Sequence, residues 1–372
     1  MIGCSKNPTQ INPTPLPETL HPYLQMAGPN ASVAVIWNTD QPEASKVHFS
    51  PSGGHLEQVV ESSELVQHHI LILPILPPDG SFDYRVYSSK ARSKLNTFKT
   101  LPHAETDGTS DPFSFVAYGD NRSYPSKHRN VIHQILNDEI PSIVVSTGDL
   151  VHAGQDSLSW FEEFLVPADS LFNSAPVMLS LGNHDVDMDS PYPQNLSPWW
   201  LEHFSFPGEP DDIGYGRWFS YQAGGIHFIH LDSTEPENID QLAWIEADLS
   251  SPEALNADFR VAIFHYPPYS YGGHGSNLNV RSLWNPLLEQ FGVELVFNGH
   301  NHFYQRVLPE NGITYVITGG GGANLYDPGE SDNVVISVKQ HHFVRVEYEP
   351  GTLHCTTINI DGTIIDEFIL SH

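Results

Sequence analysis

Five stretches of the chain end on side chains that bind metals. They are Tyr118-Gly119-Asp120, Val144-Val145-Ser146-Thr147-Gly148-Asp149-Leu150-Val151-His152, Leu181-Gly182-Asn183-His184-Asp185, Ala262-Ile263-Phe264-His265 and Asn298-Gly299-His300-Asn301-His302. Carboxylate, amide and imidazole donors suit hard and borderline divalent ions. Any one stretch alone is weak, because Gly-Asp after an apolar run is often only a turn. Together they supply enough donors for two ions that share Asp149, the arrangement of two-metal phosphoryl chemistry. A phosphate ester repels nucleophiles by its own negative charge, and two nearby cations offset that charge.

The elements around these stretches fit such a role. Each stretch follows a β-branched or apolar run and so ends a strand, where ligands collect in open α/β sheets. From residue 113 the pattern alternates. Strands are expected at Phe113–Tyr118, Ile143–Ser146, Val177–Leu181, His227–Leu231, Arg260–Phe264 and Val293–Asn298. Helical spacing falls on Val131, Ile132, Ile135 and Leu136, on Leu242, Ala243, Ile245 and Leu249, and over Leu283–Phe291. From Tyr315 the chain returns to short β segments, including Phe343–Tyr348 and Leu353–Ile360. The result is a layered α/β domain with sheets inside and helices outside. Gly319–Gly322 lacks the Lys and helix context of a phosphate loop and reads as a tight backbone passage. The long loop Asp187–Arg217 reads as an ordered lid near the site, carrying Trp199 and Trp200, with Trp218 next to it.

Residues 20–102 read as all-β, with Val33, Val35 and Trp37 and then Phe82, Tyr84 and Val86 alternating, and Val47–Phe49, Ile70–Leu73 and Leu95–Phe98 as further strands. About seven strands in that length suggest a small β-sandwich. Residues 1–19 read as a flexible leader, and 103–112 as a linker.

The 372 residues favour two domains. Hydrophobic content of 39% and aromatic content of 11% suffice for packed cores. The formal charge is -29, from 16 Lys+Arg against 45 Asp+Glu, with the acids scattered. Such a surface repels nucleic acid and anionic lipid, so no nucleic-acid binding is expected. Cys4 and Cys355 cannot build a disulfide framework. Met1-Ile2-Gly3-Cys4-Ser5 matches the end of a bacterial lipoprotein signal, which makes Cys4 a candidate lipid anchor; the alternative is a chance tetrapeptide. The expected address is extracytoplasmic: secreted, periplasmic or lipid-anchored.

The ordered set of five motifs resembles the calcineurin-like metallophosphoesterases, and within them the purple acid phosphatase group. The resemblance covers nearly the whole chain, including a fibronectin III-like N-terminal sandwich with its Tyr23-Leu24-Gln25 opening. It implies an N-terminal β-sandwich (20–102) followed by an α/β/β/α catalytic domain (113–372). It implies that Asp120 and His302 bind the first metal, that Asp149 bridges, and that Asn183, His265 and His300 bind the second. His184 would stay off the metals and contact the phosphate or protonate the leaving group, with Asp185 orienting it. His274, in Tyr271-Gly272-Gly273-His274, resembles a substrate-side histidine. The implied reaction is hydrolysis of phosphate monoesters by metal-activated water or hydroxide. A phosphodiesterase or nucleotidase with the same centre is the alternative, and a silent cell-surface binding protein the alternative from another class.

Two positions depart from the family. Where the purple enzymes have a metal-binding Tyr three residues after the bridging Asp, this chain has His152. Where other members have Asp-x-His in the first motif, it has Asp120-Asn121-Arg122. Arg stays protonated and cannot ligate. His152 is therefore the expected remaining ligand at the first corner, with Zn, Fe(II) or Mn(II) favoured over Fe(III). Arg122 is free to grip a phosphate oxygen. Of the 21 histidines, His21, His55, His68, His69, His128, His133, His341 and His342 belong to no motif.

Overall fold

The computed structural model describes residues 17–28, 31–102, 111–186 and 196–372. Two sheets carry the motif residues. The six-stranded sheet has the order Val177–Leu179, Ile143–Ser146, Phe113–Tyr118, His342–Glu349, Thr352–Asn359, Ile364–Ser371. Its first three strands are parallel, and the last three extend it as an antiparallel meander. The seven-stranded sheet has the order Phe219–Ala223, Ile226–His230, Phe259–Ile263, Leu295–Asn298, Thr314–Thr318, Tyr304–Val307, Val334–Val338. Ile226–His230 through Thr314–Thr318 run parallel.

Burial explains the sequence pattern. Parallel strands covered on both faces read as unbroken apolar runs, and Ile143–Ser146 and Leu295–Asn298 are buried at every position. Thr352–Asn359 alternates half-buried and buried residues instead, as a sheet covered more fully on one face should. The two sheets meet through aromatic contacts: Phe115 packs edge-on against Phe228 and Phe297, with ring centroids 5.0 and 6.3 Å away. Helix Pro125–Leu136 covers the outer face of the first sheet through Val131, Ile132 and Ile135. Helices Ile239–Leu249 and Asn285–Gln290 cover the second sheet, where Ile245, Leu249 and Leu288 join Trp284 against Ile229, Ala262 and Val296. The expected α/β/β/α layering is the observed one. The single helix expected over Leu283–Phe291 is two, Leu278–Leu283 and Asn285–Gln290, which meet at Trp284.

The N-terminal region is β-rich, as expected, but its strands are longer. Val33–Trp37 and Val47–Phe49 belong to one strand, Ser32–Pro51, and Ile70–Leu73 overlaps the end of Gln58–Ile72. The polar stretches within these strands hide their continuity from a period-2 reading. Leu24, Val35, Trp37 and Leu71 share a core with Val47, Phe49, Tyr84, Val86 and Phe98. The leader expected to run to residue 19 overlaps a strand, Glu18–Leu20, paired with Arg92–Ser93.

This region is fixed to the rest of the chain. Gln25 donates to the Val177 carbonyl at 3.3 Å and accepts from the Ser205 amide at 2.8 Å, and Tyr84 donates to the Asn173 carbonyl at 2.8 Å. Its partner surface includes part of the expected lid. Helix Pro198–His203 starts at Ser197, whose hydroxyl accepts from Trp199 N–H. Trp200 is fully buried against Trp160, Phe204 and Phe206 and donates to the Gly216 carbonyl, and Trp218 is also buried. Those two tryptophans are core residues rather than parts of a lid. Trp199 is half-buried and donates to the Gln155 carbonyl at 3.3 Å. Residues 187–195 of the expected lid, and Cys4, lie outside the described residues.

Candidate functional site

Every motif lies just beyond the carboxyl end of a parallel strand, three from one sheet and two from the other. Phe113–Tyr118 delivers Asp120, Ile143–Ser146 delivers Asp149, and Val177–Leu179 delivers Asn183 and His184. Phe259–Ile263 delivers His265, and Leu295–Asn298 delivers His300 and His302. Because the sheets face each other, these ends converge on one place.

The turn at each end is sharp. Asp120, Asp149 and His300 all have left-handed backbone, with φ of 56°, 56° and 68°. Such a conformation in a residue with a side chain costs about 1–3 kcal/mol and persists where neighbours enforce it. Here the enforcement is visible. Asp185 is fully buried and accepts from the N–H groups of Gly182, Asp149 and Leu150, each at 2.8 Å, and of Val151 at 3.3 Å. Gly148 and Gly182 let the second and third motifs touch: a Cβ on Gly148 would strike Gly182, and one on Gly182 would strike Asp149.

The donor atoms of Asp120, Asp149 and His302 lie within 4.8 Å of one another. His302 Nε2 is 3.3 Å from Asp120 Oδ1. On the other side, His265 Nε2 is 3.4 Å from Asp149 Oδ1 and 3.2 Å from Asn183 Oδ1. Both rings are oriented from behind. His265 donates Nδ1–H to the Thr147 carbonyl at 2.9 Å, and His302 to the Asn324 carbonyl at 2.7 Å. That fixes the tautomer and leaves Nε2 as the lone-pair donor facing the carboxylates. The His300 amide donates to both oxygens of Asp120, at 3.1 and 2.9 Å, and its ring packs among His265, Tyr266 and His274.

The electrostatics follow from burial and convergence. Burial raises the Asp149 carboxyl, but the charges of His265, His184 and Arg122 outweigh it and bring the pKa down to about 2. The His300 pKa falls to about 2 through burial and then the neighbouring His265. The His302 pKa is raised: burial lowers it, but the hydrogen bond and charge of Asp120 prevail.

The remaining expected residues divide. His184 is half-buried beside Asp149, whose Oδ1 accepts its backbone N–H at 2.9 Å; its ring donates Nδ1–H to the His152 carbonyl at 2.7 Å. The expectation that Asp185 orients this ring is corrected. The Asp185 carboxylate holds four backbone N–H groups, and the His152 carbonyl orients His184. His152 stands apart from the three-donor group. It is exposed, its Nδ1 faces Ser123 Oγ at 3.4 Å, and the three-donor group forms without it. Glu163 is the physical reason, accepting from both the Ser123 and His152 amides at 2.7 and 2.8 Å and pinning that loop. Arg122 Nε meanwhile donates to Asp149 Oδ2 at 3.1 Å. His274 is exposed at the rim, stacked on His300 with centroids 4.4 Å apart.

One residue absent from the sequence reading belongs to this neighbourhood. Tyr326 stacks on His302, with centroids 4.2 Å apart and planes 16° from parallel, and touches His274 edge-on at 5.3 Å. The only signal for it was the glycine run before it.

Comparison with known proteins agrees with this geometry. Residues 109–304, more than half of the chain, match the family described as calcineurin-like phosphoesterase. Purple acid phosphatase 23 of Arabidopsis thaliana is 29% identical over 294 residues, covering 68% of this chain and 62% of the relative. The chain spans between 53% and 62% of the length of the first curated relatives it matches. The solved structure of a purple acid phosphatase from yellow lupin (Lupinus luteus) seeds superposes with a TM-score of 0.79 at 20% identity, over 94% of this chain and 74% of that one. A structure of PhoD superposes with a TM-score of 0.69 at 12% identity, over 97% and 90% of the two chains. At these identities the likeness is one of fold: a mixed α/β body with a β-rich N-terminal region.

Proposed function

The chain belongs to the calcineurin-like phosphoesterase family, and from that premise we propose that it hydrolyses phosphate monoesters at a centre of two metal ions sharing Asp149. The observation that carries the reading is the convergence of Asp120, Asp149 and His302 donors within 4.8 Å, with His265 Nε2 3.4 Å from Asp149 on the other side. The donor set fits such ions. Its carboxylates are buried, and two of its imidazoles are oriented through Nδ1–H bonds to carbonyls. Asp120, Asp149 and His302 would hold one ion, and Asp149, Asn183, His265 and His300 the other. Imidazole, amide and carboxylate donors suit Zn, Fe or Mn. When bound, such ions neutralise phosphoryl charge and lower the pKa of water.

The chain's own residues do the rest. Asp149 stays ionised and so supplies the shared anion. His184, with Nδ1–H on the His152 carbonyl, turns Nε2 toward the leaving group and gives it a proton. Arg122 takes a phosphoryl oxygen through its planar fork. His274, at the rim, contacts the substrate. The purple acid phosphatases among the relatives support a phosphatase activity by their name.

The same proposal divides the chain into a fibronectin III-like sandwich (20–102), joined by the strand Glu18–Leu20, and a catalytic domain (113–372). It takes the address as extracytoplasmic: secreted, periplasmic or lipid-anchored, with Cys4 the candidate anchor. Among the described residues no helix is long and apolar enough to cross a membrane.

The test is hydrolysis of an aryl phosphate monoester by the purified protein, before and after chelation and with Mn, Zn or Fe restored. Activity lost on chelation and regained with one metal is the expected result. A folded, metal-loaded protein that cleaves diesters and not monoesters would replace the monoester reading. One that cleaves neither would replace the enzyme reading with a binding protein.

A further inference from the structure

The segment Trp160–Leu165 winds as a π-helix, with the Val166 N–H reaching back five residues to the Phe161 carbonyl. Such turns are rare and often fall at functional sites. Two of its side chains hold the loop 152–154. Trp160 donates Nε1–H to the Gly154 carbonyl at 2.9 Å. Glu163 Oε2 accepts the His152 N–H at 2.8 Å and the Ser123 N–H at 2.7 Å. Glu163 is itself held, because its carbonyl accepts Nδ1–H of the buried His128 at 3.0 Å.

The loop in turn grips His184 at two points. The His152 carbonyl accepts His184 Nδ1–H at 2.7 Å, and the Gly154 N–H donates to the His184 carbonyl at 2.8 Å. A Cβ on Gly154 would strike the Asp185 carbonyl, so only glycine lets the two segments touch there. Glu163 and His184 thus act on one residue, Glu163 at the N–H of His152 and His184 at its carbonyl. Peptide units are rigid planes, so fixing the N–H restrains the carbonyl through φ and ψ of His152 alone. His152 is exposed, and its side chain has no packing to hold the loop. The bond to the Glu163 carboxylate supplies that hold, and a bond to an ionised acceptor is about twice as strong as a neutral one.

We propose that Glu163 is a positioning residue: it holds the His152 carbonyl where that carbonyl keeps the His184 ring protonated at Nδ1, with Nε2 toward the leaving group. This rests on the phosphoesterase reading above. In the step it serves, a water oxygen bonds to phosphorus as the bond from phosphorus to the ester oxygen breaks. The departing oxygen takes the Nε2 proton of the protonated ring, and the ring keeps its Nδ1 proton on the His152 carbonyl. The surplus proton of the water passes to solvent, from which Nε2 is protonated again. A loose carbonyl lets the ring turn or change tautomer, so the ester oxygen leaves without its proton. That matters for an alkyl ester, whose alkoxide leaves poorly, and little for a nitrophenyl ester, whose phenolate departs readily.

The experiment compares wild type, Glu163→Ala and Glu163→Gln on nitrophenyl phosphate and on an alkyl phosphate monoester. It reads the ratio of the alkyl kcat to the aryl kcat. A general acid contributes about 10²–10⁴-fold, so its partial misplacement in Glu163→Ala should lower the ratio about tenfold, with metal content unchanged. Glu163→Gln keeps a neutral acceptor and should lower it about threefold. Glu163→Ala added to His184→Ala should leave the ratio where His184→Ala alone puts it. A purely structural role predicts equal losses on both esters, and that result would overturn the proposal, as would a further fall in the double variant. If Glu163→Ala does not fold, the Glu163→Gln ratio decides, and an undiminished one overturns the proposal. Nitrogen NMR of the His184 ring needs no activity. It should show the Nδ1–H tautomer in wild type and a mixture in Glu163→Ala, and an unchanged tautomer would overturn the proposal. If wild type hydrolyses neither ester while the tautomer still shifts in Glu163→Ala, the phosphoesterase reading fails and the hold of Glu163 on His184 stands.

Discussion

At the sheet ends, His265 and His302 each donate Nδ1–H to a carbonyl and present Nε2 to a carboxylate. At the junction with the N-terminal sheet, His203 is fully buried with no hydrogen-bond partner at either ring nitrogen among the described residues. It stacks on Trp199 at 5.5 Å and meets Phe161 and His68 edge-on at 5.2 and 4.3 Å. Both environments bury imidazole. Only the first gives it an oriented lone pair and an anion to share. Burial therefore does not mark a metal ligand, whereas convergence with carboxylates and a fixed tautomer does. His128, His230 and His342 are buried like His203, although each has at least one hydrogen bond.

The sharpest way to break this contrast is to remove the shared anion. Asp149→Asn should lower kcat/KM at least about 10³-fold, equivalent to ~4 kcal/mol, and metal content by mass spectrometry should fall with it. A variant that keeps its metal and most of its rate would show that Asp149 is not the shared ligand. His300→Ala should cost about 10²-fold and reduce bound metal, while His203→Phe should leave metal content as it is. Equal metal loss in both would erase the distinction between the two kinds of buried histidine.

Asp185→Ala tests what holds the ligand loops. It leaves buried N–H groups of Gly182, Asp149 and Leu150 without an acceptor, at about 1–3 kcal/mol for each group left unpaired. A loss of about 3 kcal/mol or more in urea unfolding is expected, and a neutral result would remove the clamp from the account.

The histidines without anions make a prediction about pH. Burial lowers the pKa of His128, His203 and His342 to about 4 and that of His230 to about 3. These groups are neutral when folded and take up a proton when unfolded, near the ordinary histidine value of about 6.5. The unfolded state then binds more protons, so stability is fully present above about pH 6.5 and is lost as pH falls toward 4. Each site should contribute about 3 kcal/mol to that loss by about pH 4, read as a drop in Tm. His203→Phe should flatten the slope, and a parallel curve would mean that His203 is not one of the groups responsible. The smallest effect is expected at His152, where Ala should change kcat/KM by less than about threefold. A loss of 10²-fold would return His152 to the ligand set.

Much of this molecule was legible in the chain. Parallel strands are buried on both sides, so their unbroken apolar runs reveal them, and Phe113–Tyr118 and Ile143–Ser146 have the expected bounds. The motif residues beyond those strands were legible only as a set: one Gly-Asp after an apolar run is often only a turn, whereas five such ends in order supply donors for one place. The long strands Ser32–Pro51 and Gln58–Ile72 were less legible, because their polar stretches lack alternation. Strand Tyr304–Val307 was missed because it follows directly on the His300–His302 motif.

The sequence by itself determined the donor types, their order and the strand ends that carry them, because these depend on local residue chemistry and short-range periodicity. Tertiary structure alone decided which donors meet. It turned Asp185 onto four backbone amides, left His152 outside the three-donor group, set Arg122 against Asp149 and brought Tyr326 over His302. Those outcomes depend on contacts between residues far apart in the chain. Two strands separate Tyr326 from His302, and no local pattern records that their rings stack.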